Sequence, residues 1–320
     1  MGTRTKLLRL PDRGRLLVAA DLHGNLRDFL AVVAHFESLG SDGHLLFLGD
    51  LIHGPQITLA RWPEHPGLRG RPYHDQSPAI LLGVSELMAR FPDRVFSLLG
   101  NHEHAHIGGP RTSRFARDEA AALEQSLGIE NSSWLSDFIA QLPIWAIAPC
   151  GLLFSHAAPA ALLADPCDLD RMDYRRYERP TGATLDAYRR MGPAEINPAA
   201  LLGQLLWNQS LPPLLARQVL DSLGLSLCIY GHSVIPAGYQ TIGSQQMILS
   251  SSFCMEDAYK KILCLDLAAR YPSVTVLRLG QEIVPLYPLP SSASSPDKAA
   301  EPAQTPKTRP TRSTMPRMRV

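Results

Sequence analysis

Three polar side chains follow an apolar run near the start of the chain. Asp21, His23 and Asn25 come directly after Leu16–Ala20, in the stretch LLVAADLHGN. Because side chains two positions apart on a strand point the same way, the carboxylate of Asp21 and the imidazole of His23 can converge just past the strand. Gly24 lets the chain turn sharply at that point. An acid and an imidazole that converge in this way suit a metal ion.

Four further clusters of the same kind occupy equivalent positions later in the chain. Each follows an apolar run: Asp50 in HLLFLGD, Asn101, His102 and Glu103 in VFSLLGNHE, His156 in LLFSHA, and His232 in LCIYGHS. In open α/β sheets, sites assemble from the loops at the carboxyl ends of the strands. A single such cluster is often an ordinary turn or a hydrogen-bonded histidine. Five clusters in the same place relative to the strands predict one shared site.

The combined residue types favour a pair of divalent metal ions. The candidate ligands are Asp21, His23, Asp50, Asn101, His156 and His232. Oxygen and imidazole ligands without a thiolate suit Mn, Fe or Zn, and two such ions typically lie about 3.5–4 Å apart, bridged by a carboxylate and a water. Two dications beside two aspartates and a hydroxide leave a net positive charge, which favours a phosphate dianion. The metal ions also lower the pKa of the water, so that it becomes a nucleophile.

Strands and helices that could position these residues alternate along the chain. Strands are predicted at Leu16–Ala20, Leu45–Leu48, Val95–Leu99, Ile144–Ile147, Leu152–Ser155, Leu225–Tyr230, Gln246–Ser250, Ile262–Asp266 and Val274–Leu279. Helices are predicted at Leu26–Leu39, Pro78–Arg90, Ser113–Leu127, Ser132–Gln141 and Pro212–Leu223. This alternation is typical of an α/β fold whose sheet is covered by helices. The later strands have few helices between them, which predicts a second, partly antiparallel sheet.

Composition sets limits on the class of protein. The chain has 320 residues, of which 45% are hydrophobic and 19% charged, with a formal net charge of +1. These values are typical of a soluble globular protein, and the near-neutral charge gives no reason to expect a nucleic acid or a membrane as partner. The sequence shows no signal peptide, no apolar run of about 18 residues and no C-x-x-C spacing. We therefore expect a cytoplasmic protein with reduced cysteines.

Composition also divides the chain into three segments. Residues 1–13 form an N-terminal segment, 14–289 carry the strands, helices and polar clusters, and 290–320 are rich in Pro, Ser, Thr and basic residues. The last segment has too few large apolar groups to offset its ordering entropy, so we predict that it is disordered. Within the middle segment, residues 61–76 (RWPEHPGLRGRPYHDQ) show no periodicity and are predicted to form a long surface loop.

The motifs resemble those of the calcineurin-like metallophosphoesterases: D-x-H-G, G-D, G-N-H-E, a later strand-end histidine and G-H. More narrowly, the chain is similar to the PPP-type serine/threonine phosphatases in the order of FPDRVFSLLGNHEHAHI, LLGQLLWNQS, LSLCIYGHSVIPAGYQ and MILSSSFC. The resemblance covers about residues 16–266. It implies a sandwich of two mixed β-sheets flanked by helices, with residues 14–289 as the catalytic domain. It also implies a metal-dependent hydrolase that removes phosphate from phosphoserine and phosphothreonine.

The resemblance implies a role for each clustered residue. The first metal ion would be held by Asp21, His23 and Asp50, and the second by Asp50, Asn101, His156 and His232. Asp50 would thus be shared by both ions. His102 would be the general acid that protonates the leaving alkoxide after attack by a metal-activated water, a contribution of about 10²–10⁴ in rate.

The sequence departs from the family pattern directly after Asp50. The family has G-D-x-V-D-R-G there, whereas this chain has GDLIHGP, so His53 replaces the acid that orients the general-acid histidine. The phosphate-binding arginine of that motif is absent, and so is a second arginine expected after the LLW segment. Asp75 or Glu64 is a candidate to orient His102 instead.

Arginines elsewhere in the chain could replace the missing phosphate contacts. Guanidinium groups bind phosphate in a bidentate manner, and several occur in the predicted loop and after G-N-H-E. The substrate-binding candidates are Asn101, His53, Arg71, Arg111 and Arg114, with Arg61 and Arg69 as further arginines of the loop. The sequence is equally compatible with the alternative that these arginines are solvated surface residues.

Three functions are compatible with this set of residues. The first is dephosphorylation of phosphoproteins by a two-metal centre. The second keeps the metal centre but hydrolyses small phosphoesters, phosphodiesters or dinucleoside polyphosphates, because loss of the arginine weakens the case for a monoester dianion. The third is a catalytically weak metal-binding module that recognises phosphoproteins. The expected partner is thus a phosphorylated protein or a small phosphoester, and the intact ligand set together with His102 favours an enzyme.

Overall fold

Two packed β-sheets form the centre of the fold in a computed structural model that describes residues 5–65, 67–163, 165–176 and 198–287. The strands are β1 (Leu7–Arg9), β2 (Arg15–Ala19), β3 (Gly43–Phe47), β4 (Val95–Ser97), β5 (Trp145–Ala148), β6 (Leu152–Ser155), β7 (Leu227–Tyr230), β8 (Tyr239–Ile242), β9 (Gln246–Leu249), β10 (Lys261–Asp266) and β11 (Ile283–Pro285). The segment predicted to be disordered, residues 290–320, lies outside the described residues.

Both sheets are mixed, as the sequence predicts. The first has the strand order β1-β5-β6-β7-β9-β8, and the second has the order β11-β10-β2-β3-β4. In the first sheet, β6, β7 and β9 run parallel to one another, while β5 and β8 are antiparallel to their neighbours β6 and β9. In the second sheet, β2, β3 and β4 are parallel, and β10 and β11 continue it in antiparallel fashion. Each sheet therefore contributes three parallel strands whose carboxyl ends can carry a site.

Helices flank the two sheets. They are α1 (Leu26–Ser38), α2 (Ser77–Arg90), α3 (Asn101–His104), α4 (Glu119–Ile139), α5 (Pro198–Trp207) and α6 (Pro213–Leu223). The prediction of an α/β sandwich of two mixed sheets with flanking helices is confirmed. Within the described residues, no helix combines the length and the apolar character needed to cross a membrane.

The strand β2 is buried on both faces, which explains its uninterrupted apolar sequence. Leu17 and Ala19 pack into a core shared with the helices, whereas Leu16 and Val18 pack between the two sheets against residues such as Phe154. The four apolar side chains of β2 and that of Phe154 are each at most 1% exposed. Full burial of a side chain of this size contributes about 1.5–3 kcal/mol each, so the strand that ends at the predicted site is firmly held.

The loop that follows β2 is fixed by the start of α1. The side chain of Asn25 accepts a hydrogen bond from the backbone N–H of Asp28 at 3.2 Å and donates one to its carboxylate at 2.8 Å. The Asp28 carboxylate is fully buried and also pairs with Nζ of Lys260 at 2.7 Å. Asn25, the third polar residue after the first apolar run, is therefore a helix cap that holds Asp21 and His23 in place.

Several predicted elements differ from the structure at the edges of the fold. The strand predicted at Val274–Leu279 is wrong, because this segment begins with a short 3₁₀-helix at Val274–Val276. The strands β1, β8 and β11 were not predicted; each lies at the edge of a sheet and is only three or four residues long. The two helices predicted after G-N-H-E correspond to α4, which starts six residues later than expected and is interrupted at Gly128, where φ is 76°.

Candidate metal centre

Six polar side chains meet where parallel strands of both sheets end. They are Asp21 and His23 after β2, Asp50 after β3, Asn101 after β4, His156 after β6 and His232 after β7. The first five are at most 6% exposed, and His232 is partly buried. The structure thus brings together all six residues that the sequence analysis selected as metal ligands.

Asp50 lies between two groups of potential metal ligands. Its Oδ2 atom is 3.6 Å from Nε2 of His23 and 3.4 Å from Nε2 of His156. One group consists of His23, Asp50 and His102, the other of Asp50, His156 and His232, and within each group the potential ligand atoms lie within 4.8 Å of one another. A carboxylate shared by two such groups is the arrangement expected for a bridged pair of metal ions.

The other candidate ligands surround the second group. Oδ1 of Asn101 is 2.9 Å from Nε2 of His156, and Nδ1 of His232 is 3.2 Å from the same nitrogen. The carboxylate of Asp21 accepts the backbone N–H of His232 at 3.0 and 3.1 Å. A Cβ atom at Gly231 would collide with Asp21, so the glycine of the G-H motif is what allows this approach.

Backbone carbonyl groups orient two of the histidines. Nδ1 of His23 is 3.1 Å from the carbonyl oxygen of Ile52, and Nδ1 of His156 is 3.0 Å from that of Leu48. Because a carbonyl oxygen can only accept, each Nδ1 carries the proton and donates it. Each Nε2 is therefore unprotonated and faces the centre, which is the usual arrangement of a histidine that binds a metal ion.

The loops that carry these residues have strained backbones. Positive φ angles, between 43° and 68°, occur at Asp21, His23, Asp50, His53 and His232. Non-glycine residues rarely adopt this region, at a cost of about 1–3 kcal/mol each, and they keep it where the surrounding structure enforces it. Among the described residues, the other non-glycine residue with positive φ is Cys254. Backbone strain is thus concentrated at the candidate centre.

Burial sets the protonation of the metal-free centre. It lowers the pKa of His23 and that of His156 to about 3, so both imidazoles are neutral, as metal ligands must be. It raises the pKa of Asp50 to about 7 and also raises the pKa of Asp21, on which the neighbouring charge of Asp50 acts in the same direction. Buried carboxylates of high proton affinity beside neutral imidazoles favour a cation in place of the protons. The donor set therefore fits divalent metal ions.

Glu103 connects the loops that follow β3 and β4. Its Oε2 atom accepts the backbone N–H of Asp50 at 2.8 Å and that of Gly100 at 3.0 Å, while Oε1 accepts that of Leu51 at 2.8 Å. The side chain is completely buried. One carboxylate therefore satisfies three backbone donors and fixes the position of Asp50 relative to the G-N-H-E motif.

Substitution Glu103→Gln is expected to destabilise the protein. Glutamine offers one acceptor oxygen to three N–H groups and turns an NH₂ donor towards them. Hydrogen bonds to charged groups are worth about 1.5–3 kcal/mol, so we expect the free energy of unfolding to fall by about this amount in urea titrations. The exposed control Glu86→Gln should change it by less than about 0.5 kcal/mol. Equal stability of the Glu103 variant and the wild type would contradict this role.

His102 lies beside the first ligand group. Its ring meets the ring of His23 edge-on, with 4.7 Å between the centroids, and its backbone N–H donates to Oδ1 of Asp50 at 3.1 Å. Its Nδ1 atom is 3.0 Å from Nδ1 of His53. Burial lowers the pKa of His53 to about 2, so this neighbour is a neutral imidazole. His102 is therefore held at the edge of the centre by the residue that replaces the family's acid.

The two acids proposed from the sequence as partners of His102 contact other groups. The carboxylate of Asp75 accepts hydrogen bonds from the backbone N–H and the hydroxyl of Ser77, at 3.0 and 2.5 Å. The same hydroxyl oxygen accepts the backbone N–H of His53 at 2.9 Å, so Asp75 acts on the position of His53. Glu64 is exposed and pairs with Arg61.

The segment 61–76, predicted to be a surface loop, packs against the candidate centre in part. Trp62 and Leu68 are buried in a small cluster with Phe253, and the hydroxyl of Tyr73 donates to the carbonyl oxygen of His23 at 3.0 Å. The prediction of a solvated loop is wrong for these residues. Their apolar groups are too widely spaced to give a periodic signal, and they pack on residues distant in sequence.

This packing explains the missing arginine. Gly54 follows His53, at the place where the family pattern has its phosphate-binding arginine. A Cβ atom at Gly54 would collide with the carbonyl oxygen of His23 and lie 3.0 Å from Oδ1 of Asp75. A side chain cannot therefore extend from this position unless the backbone at His23 shifts.

Two of the candidate phosphate-binding arginines make no contact with the ligand groups among the hydrogen bonds and ion pairs of the described residues. Arg111 pairs with Asp118 at 3.2 Å and with Glu124 at 3.4 Å. Arg71 is exposed, and among the described residues it forms no ion pair within 4.0 Å. Arg111 is thus engaged by acids of α4 and its N-cap.

Arg114 is the candidate arginine that stacked side chains connect to the centre. Its guanidinium carbon lies 4.7 Å from the ring centroid of Phe253, and that centroid is 4.4 Å from the ring centroid of His23. Burial is the main cause of the low pKa of His23, and the charge of Arg114 lowers it further. Arg114 is exposed and, in the described part of the chain, has no acidic partner within 4.0 Å.

Three residues beside His53 and His102 were not selected as site residues from the sequence: His106, Glu119 and Glu124. His106 contacts His53, and the two glutamates come from α4, which is reached only after an irregular connection. His106 stands four residues after His102, so its position near the motif was the one available signal. The glutamates belong to no motif and approach the site through tertiary packing.

Two mixed sheets with histidine and aspartate ligands at their parallel strand ends define a metallophosphoesterase fold. The family model of the calcineurin-like phosphoesterases matches residues 14–236. The chain therefore belongs to the calcineurin-like phosphoesterase family. It is a metal-dependent phosphatase of the kind that uses a binuclear metal centre.

Solved structures of other proteins are similar to this chain at low sequence identity. A cold-active protein-tyrosine phosphatase from a psychrophilic Shewanella species is 14% identical, with a TM-score of 0.51, over 84% of this chain and 78% of that chain. A protein serine/threonine phosphatase from Saccharomyces cerevisiae is 17% identical, with a TM-score of 0.48, over 82% and 76%. A metallophosphoesterase from Sphaerobacter thermophilus is 16% identical, with a TM-score of 0.40, over 81% and 85%. No curated protein sequence matches the chain.

Proposed function

We propose that the protein removes phosphate from phosphoserine and phosphothreonine in other proteins, using two ions of manganese, iron or zinc. The observation that carries this proposal is the position of Asp50 between two ligand groups, with His102 beside them. Oxygen and imidazole donors suit all three of these metals. A cytoplasmic location, where phosphoproteins are abundant, fits the proposal.

The segments that resemble the PPP-type phosphatases also lie at the centre. The ring of Trp207, from the LLW segment, meets the ring of His232 edge-on at 6.0 Å between centroids. The backbone N–H of Phe253, from the SSSFC segment, donates to the carbonyl oxygen of Asp21 at 3.1 Å. Both segments therefore support the ligand-bearing loops, which favours a common arrangement with that group of phosphatases.

The proposed ligand assignment follows the two groups around Asp50. Asp21, His23 and Asp50 would hold one ion, and the other would be held by Asp50, Asn101, His156 and His232. When bound, the two ions would polarise the phosphoester and lower the pKa of the attacking water. The chain itself contributes ligands that are already neutral or carboxylate in type, fixed by Glu103 and by backbone carbonyl groups.

His102 is the proposed general acid. Its Nδ1 atom is engaged by His53, so Nε2 is the nitrogen left to donate a proton to the leaving alkoxide oxygen. The residue keeps 9% of its surface exposed, and its ring is held against His23. A general acid matters most for poor leaving groups such as the serine alkoxide.

Arg114 is the proposed phosphate-binding cation. It stacks on Phe253 next to His23, its guanidinium has no acidic partner among the described residues, and it is accessible to substrate. Guanidinium groups bind phosphate oxygens in a bidentate manner. Arg114 would thus supply from the loop before α4 the contact that Gly54 cannot supply.

Substitution Arg114→Ala is expected to raise KM by about 10-fold or more, since a charged hydrogen bond is worth about 1.5–3 kcal/mol. We expect kcat to change by less than about threefold, because the metal ligands and His102 are untouched. The measurement is steady-state kinetics with a phosphopeptide, using the exposed Arg117→Ala as the matched control. An unchanged KM in the Arg114 variant would exclude this residue as the phosphate-binding group.

The substrate class is tested by a grid of metals and substrates. The protein would be loaded with Mn, Fe or Zn and assayed with a phosphoserine peptide, p-nitrophenyl phosphate, its bis ester and diadenosine tetraphosphate. We expect the highest kcat/KM with the phosphopeptide. The crowded position of Gly54, which removes one phosphate-binding arginine, is the observation that favours the second candidate, hydrolysis of small phosphoesters or diesters. A maximum with the bis ester or diadenosine tetraphosphate would establish that candidate, and bound metal without any hydrolysis would establish a recognition module.

A further inference from the structure

Helix α4 brings two acidic side chains close to His102 and to the histidines that contact it. We propose that Glu119 and Glu124 of this helix position His102 for proton donation, in place of the acid that the family pattern has at residue 53. Glu124 acts through His106 and His53, and Glu119 acts by its charge beside the same rings. The inference rests on the general-acid role of His102 proposed above.

A continuous chain of side-chain contacts connects His102 to α4. Nδ1 of His102 is 3.0 Å from Nδ1 of His53, and Nε2 of His53 is 3.0 Å from Nε2 of His106. Nδ1 of His106 is 2.8 Å from Oε1 of Glu124. We call these four residues the histidine relay. His53 is fully buried and the side chain of His106 is 1% exposed, so water does not compete for the contacts between the three rings, whereas Glu124 is 30% exposed.

The carboxylate of Glu124 fixes the direction of every hydrogen bond in the relay. A carboxylate can only accept, so Nδ1 of His106 donates to Glu124, and its Nε2 is left as an acceptor. His53 must then donate from Nε2 and accept at Nδ1, which requires His102 to donate from Nδ1. The relay therefore holds a proton on Nδ1 of His102. The proton given to the leaving alkoxide oxygen is the second one, which Nε2 carries when His102 is an imidazolium and lacks after the transfer.

Arg111 anchors the far end of the relay. Its guanidinium pairs with Oε2 of Glu124 at 3.4 Å and is itself held by Asp118, the N-cap of α4, at 3.2 Å. This ion pair engages Oε2 of Glu124 and leaves Oε1 to His106. An arginine considered from the sequence as a phosphate ligand is thus part of the support for the general acid.

Glu119 adds a second carboxylate beside His102. It is completely buried, and one of its oxygens lies within 4.8 Å of a ring nitrogen of His53 and of His102. Its Oε1 atom accepts the backbone N–H of Phe115 at 2.9 Å, whereas Oε2 is buried with no hydrogen-bond partner. A buried oxygen without a donor is costly, and the carboxylate lies next to two imidazoles, so we infer an electrostatic role for Glu119. The negative charge would stabilise positive charge that develops on His102.

The leaving group distinguishes a positioning role from a general structural role. Loss of a general acid slows the release of a poor leaving group, whereas a disordered site slows all substrates alike. The variants are His53→Ala, which breaks the relay, and Glu119→Gln, which removes a charge but keeps the shape. The control is Glu130→Gln, an exposed residue of the same helix. Each manganese-loaded variant would be assayed with phenyl phosphate, a poor leaving group, and p-nitrophenyl phosphate, a good one.

We expect kcat/KM for phenyl phosphate to fall by about 10–100-fold in both variants. For p-nitrophenyl phosphate we expect a change of less than about threefold, with unchanged metal content. Equal losses with the two substrates would overturn the proposal. A third metal ion that is bound in the wild type and lost in His53→Ala would also overturn it. His53, His102 and Glu119 would then form a metal site and not a positioning group.

A measurement that does not use activity separates this inference from the proposed function. In ¹⁵N–¹H correlation spectra of the zinc-loaded protein, the ring signals of His102 would be assigned by their absence in His102→Ala. We expect the wild type to show the Nδ1–H tautomer, and His53→Ala to lose this preference. A wild-type His102 protonated at Nε2 alone would overturn the relay even if the enzyme is active. The expected tautomer in a protein without hydrolytic activity would instead overturn only the proposed function.

Discussion

Replacing Asp50 by asparagine is expected to abolish binding of the metal pair and all hydrolysis that depends on it. Oδ2 of Asp50 lies 3.6 Å from Nε2 of His23 and 3.4 Å from Nε2 of His156, so it is shared by both ligand groups. Asparagine keeps Oδ1, which accepts the backbone N–H of His102, but it places an NH₂ donor between the two imidazoles. The variant therefore loses the negative charge that offsets repulsion between two dications.

Metal analysis and thermal unfolding measure this effect independently of activity. A ligand that binds the folded state stabilises it, by about 2.7 kcal/mol at 100 times its Kd, so manganese should raise the Tm of the wild type. The Tm of Asp50→Asn should not respond to manganese, and its metal content should fall below two ions per chain. The matched control is Asp42→Asn. Asp42 lies just before β3, whereas Asp50 follows this strand. Two tightly bound ions in the Asp50 variant would contradict the bridging role.

Substitution His102→Ala is expected to leave the metal ions bound and to reduce turnover by about 10²–10⁴, the range typical of general acid catalysis. The six proposed metal ligands do not include His102, and the backbone N–H that it donates to Asp50 is kept in alanine. The loss should be large for a phosphoserine peptide and small for p-nitrophenyl phosphate, which needs little protonation of its leaving group.

The corresponding experiment combines steady-state kinetics with metal analysis of the same samples. His74→Ala, an exposed histidine of the segment 61–76, is the control and should match the wild type in both. A variant that loses its metal ions would place His102 among the ligands, in agreement with its presence in one ligand group. Unchanged turnover of phosphoserine would remove the general acid from the mechanism.

Local sequence was sufficient to predict the fold class and the clustering of the six candidate ligands. Each candidate ligand stands within a few residues of a buried strand, and parallel strands necessarily bring their carboxyl ends to one edge. Asp21 and His23 after β2, for example, were placed by strand geometry alone, and the structure places them at the same centre as His232 from the other sheet. Edge strands such as β8, with little burial, gave no comparable signal.

The surroundings of the general acid could not be predicted because they depend on tertiary packing. Glu119 and Glu124 are ordinary helix residues in sequence, and they reach His53 and His106 only because α4 packs over the G-N-H-E loop. The absence of an arginine at Gly54 was visible in the sequence, but its cause was not. That cause is the close approach of the carbonyl oxygen of His23, with Asp75 beside it.

The central claim, two adjacent metal ions that share Asp50, is tested most directly by anomalous diffraction from crystals of the manganese-loaded protein. The account predicts two manganese peaks about 3.5–4 Å apart, one on either side of the Asp50 carboxylate. A single peak, or two peaks at separate places in the fold, would contradict it.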